Sequence, residues 1–309
     1  MTILKYMKEQ LESGDPTIRS WVLVDSYYMP FLLSAIYVLF IKKIGPAFME
    51  NRKPFMLRNV MIVYNFCIVI AYAACILLLA YFFLTTDAYS KICAPTVVEI
   101  NDYTYWATGA GWCIYILKYI EFADTVFFVL RKKNYLITNL HVIHHSSLPI
   151  LCWIFLRTET SGFQFIPAVI NAFVHIIMYT YYGLAAMGPK YQKYLWWKQY
   201  LTKIQMLQFI VVLIFVLVII PLTGCKTSQH AIYIDIFFAI LFLGLFYNFY
   251  TKTYSKPLHT NGKVEMNGNV IHAKENGGSK NAINRNKINE DEISQSKCDR
   301  RRVVESSSS

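Results

Sequence analysis

Four histidines interrupt the apolar stretches of this 309-residue chain: His141, His144 and His145, written H-V-I-H-H, and His175 farther along. A neutral imidazole can bind a metal, take a proton or attack a carbonyl carbon, and the residues around it decide which. The company here is polar and regularly spaced. Lys118, Glu121, Asp124 and Thr125 stand in K-Y-I-E-F-A-D-T, where spacings of three, four and seven bring Lys118, Glu121 and Thr125 to one helical face. Asn171, His175, Met178 and Tyr182 follow an i, i+4, i+7, i+11 stripe with Tyr181 beside it, and Thr202, Gln205 and Gln208 recur every three residues. Ionisable groups within a bilayer cost at least about 2.5 kcal/mol each on insertion scales, so each serves packing or chemistry. A Lys118 ion pair with Glu121 or Asp124 would serve packing, as would interhelical hydrogen bonds from Asn171 and the glutamines. Four histidines at matched depth call for chemistry.

Such residues need a membrane scaffold, and the composition supplies one. The chain is 55% hydrophobic and only 16% charged, with apolar runs longer than a water-soluble core requires. Stretches long enough to cross a bilayer run over residues 21–41, 59–84, 105–130, 135–156, 163–187, 199–222 and 231–250. The fold class expected is therefore an all-α polytopic membrane protein of seven transmembrane helices. Counted between these spans, Lys and Arg alternate, with 22 of the 30 falling in every second segment, so that set belongs in the cytosol and the N-terminus on the other side. The net charge of +11 thus reads as a topology signal, since no basic stripe for nucleic acid is present. Three regions follow: a non-cytosolic segment 1–20, a seven-helix catalytic domain 21–250, and a basic cytosolic tail 251–309 whose polar composition predicts disorder. With this topology the polar sets lie between the cytosolic face and the midplane, and residues 209–222 continue as purely apolar wall. The expected geometry is a polar chamber open to the cytosol that leads into an apolar slot.

Two chemistries remain open for the histidines. Membrane di-iron desaturases and hydroxylases resemble the chain in carrying an H-x-x-H-H box, which makes a metal-dependent lipid oxygenase the alternative reading. They draw roughly eight histidines from three boxes to fill two octahedral irons, whereas His230, His259 and His272 lie in a connection or the tail here. A desolvated imidazole acting as nucleophile or base suits a water-excluding site between helices. A receptor with seven helices is excluded by its missing hallmarks: the third span ends in L-R-K-K, and the seventh reads Y-N-F-Y. Seven cysteines show no C-x-x-C pair, and Cys93 and Cys225 both fall on the non-cytosolic side, compatible with a bridge or with two free thiols.

In order and on successive spans, K-x-x-E-x-x-D-T, H-x-x-H-H, N-x-x-x-H-x-x-M-Y-x-Y-Y and T-x-x-Q-x-x-Q resemble the very-long-chain fatty acid elongase (ELO) family, the likeness running from Asn51 to Tyr250. The resemblance implies a multi-pass enzyme of the endoplasmic reticulum that condenses acyl-CoA with malonyl-CoA, releasing CO₂ and CoA to give a 3-oxoacyl-CoA, without metal or other cofactor. It implies His144 as the group that attacks the thioester, His175 facing it, and His141 and His145 in support. Lys118, Glu121, Asp124, Asn171, Tyr181, Tyr182, Gln205 and Gln208 would line the chamber, and of these Lys118, Asn171, Tyr181, Gln205 and Gln208 are the candidates to donate hydrogen bonds where enolate charge develops. It also implies a disulfide between Cys93 and Cys225. Arg131, Lys132, Lys133 and Lys198 lie at the cytosolic mouth, where CoA phosphates would arrive. The expected partners are the bilayer, acyl-CoA and malonyl-CoA, with other elongation-cycle enzymes or a second copy of the chain beyond these, and no nucleic acid.

Overall fold

The computed structural model describes residues 3–12, 14–85, 102–158, 162–225, 228–255, 258–260, 263–266 and 269–272. Two short helices, α1 (Ile3–Leu11) and α2 (Pro16–Arg19), precede the membrane part. Asp15 caps α2 by accepting from the backbone of Thr17 and Ile18, and Pro16 fits the first turn because it has no N–H to leave unpaired. The long elements are α3 (Met29–Leu39), continued through a π-turn at Phe40–Ile44 into α4 (Gly45–Met49); α5 (Arg58–Thr85); α6 (Asp102–Ile120); α7 (Phe122–Leu130); α8 (Asn139–Thr158); and α9 (Phe165–Ala186). The single turn α10 (Pro189–Gln192) leads to α11 (Lys198–Ile214), α12 (Ile220–Thr223) and α13 (Gln229–Tyr250).

Among the described residues five helices are long and apolar enough to cross a membrane: Met29–Met49, Arg58–Thr85, Phe165–Ala186, Lys198–Thr223 and Gln229–Tyr254. The stretches expected as third and fourth spans are helical too, but Lys118, Glu121 and Asp124 in one and three histidines in the other make them less apolar. The chain is a multi-pass membrane protein. Six helices close a ring: α5 packs on α6, α6 on α8, α8 on α13, α13 on α11, α11 on α9, and α9 back on α5. α3 packs on α8, and α4 on α7. Two apolar clusters hold the ring. Tyr72, Leu79, Ile114 and Tyr179 belong to one, and Leu148, Phe209, Val216 and Phe242 to the other. Outward-facing Ile70, Leu77, Leu207, Leu217 and Phe237 are exposed, as lipid contact requires.

Three boundaries differ from the sequence reading. The first span does not begin at Trp21: residues 21–28 form turns, and the helix starts at Met29 with Pro30 in its first turn. The apolar residues there are drawn inward by donors from two helices. Trp112 Nε1 donates to the Val22 carbonyl, Tyr115 to Leu23, and Trp153 Nε1 and Arg157 Nη1 to Val24. Second, the third stretch breaks at Glu121, between α6 and α7. Third, the tail expected to lack structure carries the π-turn Thr251–Ser255 and, in the separate unit beginning at Pro257, three strands, β1 (Leu258–Thr260), β2 (Lys263–Met266) and β3 (Asn269–His272). They form an antiparallel meander pairing Leu258 with Glu265 and Val264 with Ile271. Asn261-Gly262 and Asn267-Gly268 are two-residue hairpin signatures that an average over the tail's composition conceals. Residues 273–309 of the expected tail lie outside the described residues.

Candidate active site

The site is built around Glu121, which is 1% exposed and stands where the helix of the third stretch breaks. One carboxylate oxygen, Oε1, collects three groups from three helices. Tyr72 of α5 donates its hydroxyl at 2.5 Å, His175 Nδ1 of α9 lies at 2.8 Å, and Lys118 Nζ, one turn earlier in α6, lies at 3.5 Å. Lys118, also buried, donates to the Tyr72 hydroxyl at 2.8 Å and to Asn171 Oδ1 at 3.0 Å. Asn171 in turn donates to Gln208 Oε1 at 3.5 Å. A buried lysine and a buried carboxylate are tolerable in hydrocarbon only when each is neutralised and bonded, and this network does both.

A second network lies one turn farther along α7. Tyr179 donates to Asp124 Oδ2 at 2.6 Å. Thr125 Oγ1 is 2.7 Å from His141 Nε2 and 2.8 Å from the Tyr37 hydroxyl, tying α3, α7 and α8 together. Lys118 thus pairs with Glu121, as their spacing suggests, whereas Thr125, read from spacing onto the same face, bonds Tyr37 and His141 instead.

The four histidines converge. The His141 and His145 ring centroids are 4.3 Å apart, and those of His144 and His145 5.4 Å. His144 and His175, on α8 and α9, face one another nearly parallel at 6.4 Å. His144 also meets the edge of Phe242 of α13 at 5.0 Å, and its Nδ1 is buried with no hydrogen-bond partner among the described residues. Locally, α8 is loosened just after the box. Pro149 lacks the N–H that the His145 carbonyl would receive, and Ser147 turns its hydroxyl back onto the Ile143 carbonyl at 2.7 Å. Among the described residues no three His, Cys, Asp or Glu side chains converge as a metal site.

Beside this cluster runs an apolar slot. Lys118, Asn171 and Gln208 border the end nearest the histidines, and Leu151, Phe155 and Val212 line the length. At that end of the slot Lys118, Asn171 and Gln208 close on one another as a bonded cluster. Gln205 donates to Met178 Sδ at 3.3 Å, and Tyr181 is buried edge-on to Trp197, so neither joins the cluster's bonds. Tyr182 is exposed, with its ring edge against Tyr179.

The basic residues expected near CoA are partly engaged already. Arg131 Nη1 points at Met61 Sδ, Lys132 donates to the Glu50 carbonyl, Lys133 sits over the Tyr135 ring, and Lys198 is exposed. Cys225 is disulfide-bonded; Cys93, its expected partner, lies outside the described residues.

Several contributors escaped the sequence reading. Tyr72 sits in an unbroken apolar helix, and its only signal is a hydroxyl at hydrocarbon depth. Tyr37 and Tyr64 were hidden the same way, Tyr64 bonding the Ile120 carbonyl beside the break. Asp235, a buried carboxylate in Y-I-D-I-F-F, carried the plainer signal of an ionisable residue inside a span.

Comparison with known proteins shows the family of the chain. Residues 22–261 match ELO, the GNS1/SUR4 family. Very long chain fatty acid elongase 7 of Rattus norvegicus is 36% identical over 270 residues, covering 86% of this chain and 94% of the relative. Very long chain fatty acid elongase 4 of Homo sapiens is 38% identical over 258 residues, 82% of this chain and 81% of the relative. A protein of Aedes aegypti named as a very long chain fatty acid elongase is 39% identical over 241 residues, 78% of this chain and 67% of its own. Matched by the family model over most of its length and by relatives at 36–39% identity, the chain belongs to the ELO family of fatty acid elongases.

Proposed function

We propose that the protein condenses a long-chain acyl-CoA with malonyl-CoA to give a 3-oxoacyl-CoA, CO₂ and CoA, working in the endoplasmic reticulum membrane with its N-terminus lumenal and its C-terminus cytosolic. The observation that carries this reading is the pair His144 and His175, facing at 6.4 Å between helices where an apolar slot begins. The acyl chain lies in the slot with its thioester beside His144. A ring nitrogen of His144 attacks the thioester carbonyl, the C–S bond breaks, and CoA leaves as a thiolate that takes up a proton. The product is an acyl-imidazole, protected from water by Phe242 and the surrounding apolar wall.

Malonyl-CoA then loses CO₂, and the electron pair of the broken C–C bond becomes a thioester enolate. Its α-carbon attacks the acyl carbonyl and expels the imidazole, so His144 is regenerated. Lys118, Asn171 and Gln208 border the slot where that negative charge develops, placing donors ahead of the reaction. Glu121 holds His175 Nδ1 and leaves Nε2 as the nitrogen for proton transfer. The sequence of steps calls on no metal. Lys133 and Lys198 on the basic face meet the CoA phosphates.

The test is CO₂ release and formation of the two-carbon-longer 3-oxo product by the purified full chain. His144→Ala and His175→Ala are each expected to lower turnover by about three orders of magnitude, the scale of a lost nucleophile or base. Both should remain folded in detergent, with His175→Ala the less stable of the two because it takes a partner from buried Glu121. Unchanged turnover in His144→Ala would contradict the reading.

A further inference from the structure

A groove runs along the outside of the helical ring, where α3 packs on α8, and it shares no residue with the slot beside the histidines. One wall is α3 with its π-turn, from Ser34 through Val38 and Leu39 to Lys42 and Lys43. The other is α8 just past the histidine box, with Ser147 and Ile150. Polarity is graded along the groove. Lys42 and Lys43 are exposed at the end that the proposed topology places in the cytosol, apolar Val38, Leu39 and Ile150 follow, and Ser34 lies farthest in along α3. Ser34 is 5% exposed, and its hydroxyl has no hydrogen-bond partner among the described residues. The hydroxyls of Ser147, Thr158 and Thr180 instead turn onto the carbonyl four residues earlier, the ordinary way for a hydroxyl within a helix to satisfy itself. A buried polar atom without a partner is costly, and one that borders a groove calls for an acceptor arriving from outside the chain.

Exposed lysines at the cytosolic end of a span serve topology and need no groove beside them. The unpartnered Ser34 hydroxyl and the apolar walls ask for more: a ligand with an anion at one end, an acceptor below it, and a hydrocarbon chain. Lys42 follows Ser34 by eight residues, about 12 Å along the helix axis. Helical side chains tilt toward the N-terminus of their helix, here down the groove, so the two ammonium groups lean back toward Ser34 and shorten that gap. We propose that the groove between α3 and α8 binds one anionic glycerophospholipid of the cytosolic leaflet. Its phosphate lies against Lys42 and Lys43, an ester carbonyl oxygen accepts from the Ser34 hydroxyl, and an acyl chain packs along Ala35, Val38, Leu39 and Ile150. The headgroup carries net negative charge, because a zwitterionic one brings its own ammonium and leaves two lysines with little net attraction. Tyr37 on the same helix bonds Thr125, and Ser147 stands two residues after His145, so a lipid seated there braces α3 against the helix of the histidines. Only the choice of leaflet rests on the proposed topology, and the condensation chemistry plays no part.

The experiment measures binding of palmitoyl-oleoyl phosphatidylserine, and of the phosphatidylcholine with the same chains, to the purified full chain in detergent, with bound lipid counted by native mass spectrometry. Wild type is expected to take up one phosphatidylserine, about tenfold more tightly than phosphatidylcholine, the scale of two lysines acting on one net charge. The double variant Lys42→Gln, Lys43→Gln brings the two lipids to equal affinity. Lys190→Gln with Lys193→Gln, exposed lysines of another cytosolic connection, leaves the preference as it was. Ser34→Val weakens both lipids severalfold and keeps the preference, and Ala35→Trp fills the groove and removes tight binding of either. Equal affinity of the two lipids for wild type overturns the proposal without recourse to any variant. A preference that survives undiminished in the folded Lys42, Lys43 double variant overturns it as well. Glycerophosphoserine competing as strongly as the intact lipid would reduce the groove to a plain anion site, and displacement of phosphatidylserine by one equivalent of acyl-CoA would give it to the substrate; either result contradicts a phospholipid site.

Discussion

Glu121 is the residue on which the site's geometry turns, since one of its oxygens is shared by Tyr72, Lys118 and His175. Glu121→Gln keeps the shape and removes the charge, leaving Lys118 buried and uncompensated. Breaking a buried pair in this way costs about 3–5 kcal/mol, so the melting temperature in detergent should drop sharply, and an unchanged transition would contradict the ion pair. Asp124→Asn is expected to be far milder, about 1 kcal/mol, because its Tyr179 hydroxyl still finds an acceptor. The histidines, Lys118, Glu121 and Asn171 were legible in the sequence because each is polar at a depth where polarity is costly. Tyr72 and Tyr37 were not, since a tyrosine in an apolar run looks like packing until its hydroxyl is seen against a partner. The Glu121–His175 bond joins residues 54 apart in sequence, and no local spacing reports it.

At the scale of elements, helix type was readable from length and apolar content, but the start of the first span was not. Hydropathy carries on smoothly from Trp21, while the chain is pinned in turns by donors that arrive from α6 and α8, more than 80 residues away. Arg157 is the strongest of these, giving Nη1 to the Val24 carbonyl at 2.6 Å and to Asp25 at 3.2 Å, with its guanidinium over the Tyr27 ring. Arg157→Met preserves the packing of the stem and deletes the donors. Hydrogen exchange is expected to rise at residues 22–28 and not along α5 or α9, with a loss of about 2 kcal/mol in stability. Exchange that rises uniformly along the chain would show that the segment is no separate clamp. The strands near residue 260 teach the opposite lesson, for Asn-Gly pairs were plain in the sequence and composition averaged them away.

For the whole molecule, a ring of six helices with α3 packed on α8 explains why polar residues from α5, α6, α8, α9 and α11 can meet away from lipid. The proposed topology, drawn from the alternation of Lys and Arg, has the termini on opposite sides of the membrane. A glycosylation acceptor appended to the N-terminus should therefore be modified in microsomes, and one appended to the C-terminus should not; modification at both ends would require an even number of crossings. The central claim, that His144 carries the acyl group, is tested most directly by giving the full chain an acyl-CoA without malonyl-CoA. The account predicts about one equivalent of free CoA per chain and, by mass spectrometry of peptides, an acyl adduct on His144 that malonyl-CoA discharges as 3-oxoacyl-CoA. Release of CoA only when malonyl-CoA is present, or an adduct on a cysteine such as Cys152, would contradict it.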